Sequence, residues 1–489
     1  MTAMNDMSNF RRRAVSALFW SLFQNWGGRA LSMVVFVLLA RLLAPAQFGI
    51  ASSAFLVMTM LSLVAEFGYG DALIQKQGLK DSDVNIPFYA SMILSTALAG
   101  IAAFMSEDIA RLMKVEGLAP YLIGTAAICP FLTLASFQDA MYRRHVQFRA
   151  LAMRTLAGII IGGVVGVAMA LMGLGTWALI GQFGAQTLTS VVWLWAKPVW
   201  KPSGDLGWGT LTGLSKFGAN VVGQRLIDFF TLRSIDFVIL LVYGPTSLAL
   251  FTVSSRLYQL LLQLLQSSIS NVGLTMLSKV SDDKVRLQRL YLRSSSIGAF
   301  FGTPVFCALA ALAPEVNHIM FGQKWAGAEH VMVPLLLMGG IHCVQFINAS
   351  YLTALGRPQA LLWLVILKAA LVLPPLYFIR MDSVAGTAML YCISLVCLTP
   401  FSFGATLRAL SLNWKAMVRP VGVPMLACGM AFFAVEATRT WAGLGELNIV
   451  FSLLLFGAIF TAAYAASVAL LAFDIGRENV LFLRNAVRR

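Results

Sequence analysis

The run ALAMRTLAGIIIGGVVGVAMALM, residues 150–172, has the length and composition of a helix that crosses a lipid bilayer. At 1.5 Å per residue, such a helix is about 35 Å long, and the hydrocarbon core of a bilayer is about 30 Å thick. Gly158, Gly162 and Gly166 lie four residues apart and therefore share one helix face. Small residues at this spacing let two membrane helices approach closely, so the run also predicts a tightly packed helix pair.

Apolar runs of this kind recur along the whole chain. Of its 489 residues, 59% are hydrophobic and 12% are charged, whereas soluble globular proteins have about 45–50% apolar and about 25% charged residues. So little charge cannot cover a water-facing surface, which excludes a soluble enzyme, a disordered chain and a secreted disulfide scaffold. The runs are too long and too uniformly apolar for the alternating strands of a membrane β-barrel. The composition predicts an all-α integral membrane protein.

A window of about 20 residues finds roughly fourteen candidate membrane spans. In chain order they are Ala14–Leu39, Phe48–Ile74, Ile86–Phe104, Leu118–Phe137, Ala150–Met172, Leu174–Ala196, Leu214–Val242, Ser247–Leu277, Ser295–Leu312, Val331–Leu355, Ala360–Ile379, Val384–Leu407, Val418–Ala437 and Leu447–Ala472.

Positive charge is concentrated on one side of the predicted membrane. If the N-terminus, with Arg11, Arg12 and Arg13, is cytoplasmic, the cytoplasmic segments hold roughly 25 Lys and Arg residues and the opposite side about six. This bias supports an even number of spans with both termini in the cytoplasm. It also accounts for most of the net charge of +15 without a nucleic-acid partner. A cleaved signal peptide is disfavoured, because the first span is longer than the apolar region of a signal peptide and contains Arg29.

Short sequence matches recur at a spacing of about 200 residues, as in transporters built from internal repeats. The matching pairs, in the same order in both halves, are Leu43–Pro45 with Tyr243–Pro245, Phe148–Leu151 with Pro358–Leu361, and Gly175–Leu179 with Gly386–Leu390. They predict two six-helix lobes in parallel repeat, residues 1–210 and 211–412, followed by a helix pair and tail, residues 413–489. Two such lobes around a central cleft are typical of transporters. Chance similarity among helices rich in small residues is the alternative.

Several charged residues fall inside the predicted spans, where each charge costs about 2.5–3.5 kcal/mol on insertion scales. Such groups usually face a bundle interior or a water-filled cavity. We predict a central cavity lined by four cations, which are Arg29, Arg225, Arg256 and Lys368. The candidates for ion coupling or for charge pairing are Glu66, Asp228, Arg233 and Asp236, and Asp71 lies nearer the interface.

Pairing within a helix is possible for some of these charges and not for others. Arg225 and Asp228 are three residues apart in the seventh span, as are Arg233 and Asp236, so each pair can form on one helix face. The alternative is that these two charge pairs only help the helices to pack and have no role in transport. No acidic residue lies three or four positions away from the other cations, which are Arg29, Arg256 and Lys368. Their partner is either a carboxylate on another helix or an anionic ligand.

The sequence offers no pattern for catalysis, metal binding or nucleotide hydrolysis. The six cysteines lie in apolar segments without a C-x-x-C pair, and the four histidines have no zinc-site spacing. Neither a phosphate-binding Walker A motif nor a loop long enough for a glycosyltransferase domain is present. The residues therefore favour a transporter without a cofactor over an enzyme.

Six segments together resemble the Wzx-type oligosaccharide flippases of the multidrug/oligosaccharidyl-lipid/polysaccharide exporter superfamily. They are the turn Arg41–Gly49, the run Glu66–Gln75, Phe137–Gln138 before the basic loop Arg143–Arg149, Gly175–Leu179 with Gln182, Lys216–Gly218 followed by Asp236, and Phe321–Gly322 with Trp325. The chain departs from the family in two places. It has Glu66–Gly68 where an acid-Leu-Gly run is common, and Thr275–Ser278 where a Pro often precedes Ser.

The resemblance implies fourteen helices in two lobes plus a pair, located in the bacterial inner membrane. It also implies a substrate, a lipid-linked oligosaccharide on undecaprenyl pyrophosphate, that is flipped to the periplasmic leaflet for polysaccharide export. Contact with a polysaccharide polymerase and glycosyltransferases follows from the same resemblance. A cation-coupled multidrug exporter and a lipid II flippase of the same superfamily are the alternatives. The sequence leaves open whether transport is coupled to protons or sodium, which sugar is carried, and what the oligomeric state is.

The charge bias makes a prediction about topology. A reporter that is active only in the cytoplasm, such as a green fluorescent protein fused after Arg489, should fluoresce, and a C-terminal alkaline phosphatase fusion should be inactive. Alkaline phosphatase activity at the C-terminus would contradict the even number of spans. A fusion in the predicted outer loop near Lys324 is the matched control, because it should give the opposite result.

Overall fold

The computed structural model describes residues 26–76, 78–205, 211–278, 283–441 and 448–487, and the regular secondary structure within them is helical. The helices up to the middle of the chain are α1 (residues 26–42), α2 (Pro45–Glu66), α3 (Tyr69–Gln75), α4 (Asp81–Phe104), α5 (Ser106–Leu112), α6 (Ala119–Arg144), α7 (Phe148–Leu171), α8 (Thr176–Ala196) and α9 (Leu211–Tyr243).

In the later part of the chain, two consecutive helices often make up one membrane span. They are α10 (Pro245–Ser278), α11 (Lys284–Ile297), α12 (Thr303–Ala311), α13 (Ala313–Met320), α14 (Ala328–Ala354), α15 (Pro358–Phe378), α16 (Val384–Cys397), α17 (Thr399–Ala409), α18 (Lys415–Met417), α19 (Val423–Trp441) and α20 (Ile449–Val487). Short π-helical turns, Gly298–Gly302 and Val418–Gly422, connect α11 to α12 and α18 to α19. Such turns are typical of places where a membrane helix changes its winding.

Eleven helical segments of the described chain are long and apolar enough to cross a membrane. They match the predicted second to fifth and eighth to fourteenth spans, which confirms a multi-pass helical membrane protein. The sixth and seventh predicted spans form α8 and α9, helices of 21 and 33 residues that are not among the eleven. Arg11, Arg12 and Arg13, with residues 14–25 of the first predicted span, lie outside the described residues. The count of fourteen spans stays a prediction.

The chain divides into two compact units, residues 1–249 and 250–489. The long helix α9 packs in the first unit, where it contacts α2, α3 and α4. The lobe boundaries at 210 and 412, which follow the sequence repeat, stay a prediction. Helix starts recur with the repeat, since α2 and α10 both begin with a proline, Pro45 and Pro245. Proline suits the first turn of a helix because it has no N–H to leave unsatisfied there.

The second predicted span is broken between α2 and α3. Phe67 and Gly68 have φ angles of 46° and 65°, in the left-handed region that ends a helix. A Cβ atom on Gly68 would lie 2.9 Å from the Gly218 carbonyl oxygen, and one on Gly218 would collide with the Phe67 carbonyl. Glycine at both positions therefore lets the break lie directly on α9. The Tyr69 hydroxyl, 3.1 Å from the Ser215 hydroxyl, adds a polar contact between α3 and α9.

Buried aromatic side chains hold α3 and the segment after α8 against α4 and α6. This cluster contains Tyr69, Leu73, Val84, Phe88, Phe137, Met141 and Trp200. The Trp200 indole donates to the Asp81 carbonyl at 3.1 Å, and the Gln138 amide donates to the Trp200 carbonyl at 2.6 Å. Asn85 donates to the Ser203 hydroxyl at 2.8 Å. These hydrogen bonds anchor the segment after α8 on α4 and α6.

Gly158, Gly162 and Gly166 of α7, which we call the glycine ladder, pack on α8. Their four-residue spacing predicted such a close contact with another helix. A Cβ atom on Gly162 would lie 2.6 Å from the Gln182 carbonyl oxygen and 3.0 Å from the Gln186 Cβ atom. One on Gly158 would lie 3.3 Å from the Gln186 Cγ atom. The close approach fixes the position of Gln186 relative to α7.

The second unit contains a buried apolar core and a salt bridge between a buried and a partly buried charge. Cys307 and Cys428 pack with apolar residues of α12, α19 and α20, and all six cysteines are free. The buried Glu315 carboxylate lies 2.9 Å from the Arg439 guanidinium, which also stacks 4.8 Å from the Phe456 ring centre. A salt bridge with this stacking contact lets the arginine occupy a largely apolar environment.

The close contact at the glycine ladder predicts that adding one methyl group there lowers the stability of the protein. Gly162→Ala should lower the melting temperature of the purified protein, because overpacking of this kind costs about 1–3 kcal/mol. The matched control is Gly100→Ala in α4, where a Cβ atom would meet no heavy atom within 4 Å. Thermal unfolding in detergent measures both. Equal stability of the two variants would show that α7 and α8 are not in close contact.

Candidate functional site

A cavity of about 550 Å³ with a mixed polar and apolar lining lies within the first unit. Its walls come from α2, α3, α6, α7 and α8, and it is partly open to the outside. The lining residues are Glu66, Gly70, Asp71, Ile74, Leu132, Ala135, Ser136, Asp139, Ala140, Arg143, Arg154, Phe183, Gln186, Thr187 and Ser190. The cavity combines charged groups, hydroxyls, one amide and an apolar wall, which is the composition of a site for a polar ligand.

Arg225 bridges two carboxylates on the two sides of the α2–α3 break. Its Nη1 atom lies 3.2 Å from Glu66 Oε2, and its Nη2 atom lies 2.6 Å from Asp71 Oδ2. The three side chains are each between 30% and 42% exposed, so solvent screens part of the attraction. The fork of a guanidinium suits this arrangement, because its nitrogens can contact two separate acceptors at once. We call Glu66, Asp71 and Arg225 the clamp.

A second set of charges lies deeper in the same cavity wall. Asp139 of α6 lies 2.7 Å from the Arg154 guanidinium of α7, and its other oxygen accepts from Arg143 Nε. The side chains of Asp139 and Arg154 are only 18% and 15% exposed. A buried charge is tolerated when it is paired in this way. Asp139 therefore joins α6 to α7 beside the clamp.

Arg144 connects the end of α6 to the clamp. Its Nη1 atom donates to the Leu73 carbonyl at 2.6 Å and to the Lys76 carbonyl at 2.7 Å. These carbonyls lie at the C-terminal end of α3, where a helix has acceptors without partners and a cation is favourable. Arg144 thereby holds the short helix that carries Asp71.

Of the two ion pairs that the spacing in the seventh span allows, one is present in the structure. Arg233 and Asp236 lie 2.9 Å apart, and Asp236 is buried. Arg225 contacts Glu66 and Asp71 instead, and no ion pair of the described residues joins it to Asp228. The reason is geometric, since the long arginine side chain reaches two carboxylates at the α2–α3 break. Asp228 is half-buried on α9.

The other predicted cations lie on separate helices. Arg29 is on α1, Arg256 on α10 and Lys368 on α15, and each is half-buried and engaged with neighbouring groups. Arg29 and Arg225 belong to the first unit, and Arg256 and Lys368 to the second. Whether the four line one cavity stays a prediction.

Sequence reasoning missed two polar contacts. The pair Asp139–Arg154 was hidden because Asp139 lies beyond Phe137, the end of the fourth predicted span, so no acid was expected inside the membrane there. The signal for it was Arg154, a charge two helical turns inside α7. The second contact joins the Tyr258 hydroxyl and His342 Nδ1, 2.8 Å apart in the second unit. Single histidines without motif spacing give no such signal.

The eleven long apolar helices of the described chain define a multi-pass membrane protein. The structure resembles a lipid II flippase, MurJ, in an inward closed conformation, with a TM-score of 0.72 over 94% of this chain and 99% of that chain. Only 14% of the aligned residues are identical, so this likeness shows the fold alone.

The chain belongs to the polysaccharide biosynthesis protein family, whose model matches residues 38–330. It is 25% identical over 456 residues to the succinoglycan biosynthesis transport protein ExoT of Rhizobium meliloti (strain 1021), covering 92% of each chain. It is 18% identical over 370 residues to the lipopolysaccharide biosynthesis protein WzxC of Escherichia coli (strain K12), covering 75% of each chain. The resemblance to Wzx-type flippases is thereby confirmed.

The clamp predicts a charge-dependent loss of stability. Arg225→Gln leaves two carboxylates close together without their cation, and it should destabilise the protein by on the order of 1 kcal/mol after screening. Thermal unfolding in detergent measures the effect. Arg111→Gln, which breaks an exposed pair with Asp108 on α5, is the control and should change nothing measurable.

A rescue experiment separates charge from packing. Replacing all three charges in Glu66→Gln/Asp71→Asn/Arg225→Gln should recover most of the lost stability, because no unpaired charge remains. If the triple variant is less stable than Arg225→Gln alone, charge pairing does not explain the role of Arg225.

Proposed function

We propose that this protein flips undecaprenyl-pyrophosphate-linked oligosaccharide repeat units from the cytoplasmic to the periplasmic leaflet of a bacterial inner membrane, for polysaccharide export. The match to ExoT, a transport protein of succinoglycan biosynthesis, over 92% of both chains is the observation that carries the proposal. It acts as a transporter and not as an enzyme. A polysaccharide polymerase would consume the flipped product, and glycosyltransferases would supply the substrate.

The chemistry of such a substrate fits the charged residues of the chain. A pyrophosphate needs cations where water is scarce, and arginine suits phosphate by its forked geometry. We assign phosphate contacts to Arg29, Arg256 and Lys368, because each lies within a predicted membrane span, where a charge usually faces a bundle interior or a water-filled cavity. Together with Arg225 they form the cationic path of the proposal, used in alternating access. The polyprenyl tail stays in the lipid throughout.

The membrane potential favours the proposed direction. Moving a negative charge outward across an inside-negative membrane releases about 2.3 kcal/mol per charge per 100 mV. Proton or sodium coupling could be added by a carboxylate. The buried pair of Asp236 with Arg233 supports a static role for Asp236, which leaves Asp228 and Glu66 as coupling candidates. The alternatives, a multidrug exporter and a lipid II flippase, differ from the proposal in substrate and not in fold.

Reconstitution tests the proposed function. The purified chain in liposomes should expose a lipid-linked repeat unit to a lectin on the opposite side faster than empty liposomes do, and an inside-negative potential should accelerate outward movement. Arg256→Ala should lose most of this activity, whereas Arg256→Lys should retain part of it, because a positive charge remains. Arg111→Ala on the exposed helix α5 is the matched control.

Each other outcome has a defined meaning. Lipid II flipping without repeat-unit flipping would replace the proposal by the lipid II alternative. Export of a cationic drug alone would favour the multidrug alternative. Equal activity of wild type, Arg256→Ala and empty liposomes would contradict transport of this substrate.

A further inference from the structure

The cavity of the first unit has the size of a small-molecule site. Its volume of about 550 Å³ lies within the range of about 300–1,000 Å³ typical of ligand pockets. All its lining residues belong to α2, α3, α6, α7 and α8. The four cations assigned to the substrate path are not among these lining residues, although Arg225 contacts two that are, Glu66 and Asp71.

The charges around the cavity compensate one another. Three carboxylates line the cavity, Glu66, Asp71 and Asp139, and three guanidinium groups pair with them, Arg143, Arg154 and Arg225. An anion such as a phosphate would have to displace a carboxylate from its arginine partner. The cavity is therefore polar without being cationic, which disfavours the charged part of the proposed substrate.

The uncharged groups of the wall offer both donors and acceptors. The Ser190 hydroxyl donates to the Gln186 carbonyl at 3.0 Å, and the Ser136 hydroxyl donates to the Thr133 carbonyl at 2.9 Å. Each hydroxyl oxygen therefore has lone pairs left to accept a hydrogen bond. The Gln186 side-chain amide makes no hydrogen bond to another group in the described part of the chain, so it can donate and accept toward the cavity.

Apolar side chains lie among these polar groups. Leu132, Ile74 and Phe183 complete the wall. A pyranose ring has hydroxyls at its edge and C–H groups on its face, so it can use both the polar and the apolar groups of such a mixed wall. A simple cation or phosphate uses only the polar groups.

Packing and an ion pair position two polar residues of the wall. Gln186 is placed by the glycine ladder, since Gly158 and Gly162 allow α7 to contact its Cβ and Cγ atoms. Arg154 and Asp139 fix each other at 2.7 Å. A wall that is already ordered loses less entropy when a ligand binds.

We propose that this cavity binds neutral sugar units of the lipid-linked substrate and not its pyrophosphate. The proposal rests on the proposed function, because it names the part of that substrate which the first unit recognises. Hydroxyls of one or two pyranose rings would bond to Gln186, Ser190 and the paired charges, with their C–H faces against Phe183.

Binding measurements on the full chain in lipid nanodiscs test this assignment. The probes are bare undecaprenyl pyrophosphate and the same lipid carrying a single glucose, galactose or N-acetylglucosamine. At least one sugar-bearing lipid should bind roughly three- to tenfold more tightly than the bare lipid, the gain expected from one or two hydrogen bonds. Gln186→Met keeps the bulk against the glycine ladder and removes the amide, so it should bring this ratio of Kd values close to one.

Gln182→Met is the matched control. Gln182 lies one turn earlier on α8 and packs on Gly166, but it does not line the cavity, so this variant should keep the wild-type ratio. Ser190→Ala provides a second test, because it removes a hydroxyl and leaves the Gln186 side chain in place, and it should lower the ratio too. A melting temperature for each variant separates lost binding from unfolding.

The outcomes distinguish this inference from the proposed function. If the wild type binds bare and sugar-bearing lipids equally for all three sugars, the cavity does not bind sugar, while the proposed function survives. If Gln186→Met and Ser190→Ala both fold and keep the wild-type ratio, sugar binds elsewhere and the inference is wrong. If neither bare nor sugar-bearing lipid binds at all, the proposed function fails and this inference with it.

Discussion

The cavity of the first unit is organised around one interaction, the Arg225 guanidinium held between the Glu66 and Asp71 carboxylates. Within a bilayer, little water is available to neutralise a stray charge or to satisfy a broken helix, so the protein must compensate both. Arg225 does this on both sides of the break that ends α2. The break in turn requires glycine at Gly68 and Gly218, because the two backbones touch there.

The cavity follows from this contact. The break turns α3 away from the axis of α2, Arg144 holds the far end of α3, and Asp139 ties α6 to α7. The glycine ladder then brings α8 close enough for Gln186 to face the same space. A polar cavity within apolar helices is thus built from charges that are neutralised in place. We expect a flippase to need this, because its substrate head is polar and its surroundings are lipid.

Local sequence patterns predicted what depends on local geometry. Apolar runs placed the membrane helices, glycine spacing placed the α7–α8 contact, and the i, i+3 spacing placed Arg233 beside Asp236. The partners of Arg225 could not be found in this way, because Glu66 and Asp71 lie more than 150 residues away in sequence. Hydropathy also hid the break at Phe67, since a short left-handed turn changes the direction of a helix without changing its composition. The cavity depends on both of these features, and so it emerged only from the structure.

The most direct test of the account is an electron cryomicroscopy structure of the full chain in nanodiscs with an undecaprenyl-pyrophosphate-linked repeat unit bound. We expect sugar density in the cavity beside Gln186 and Arg154, with the pyrophosphate outside it in contact with basic residues of the proposed path. The Arg225 contacts with Glu66 and Asp71 should bound that cavity. Phosphate density inside the cavity, or a sugar head group bound entirely elsewhere, would contradict the account.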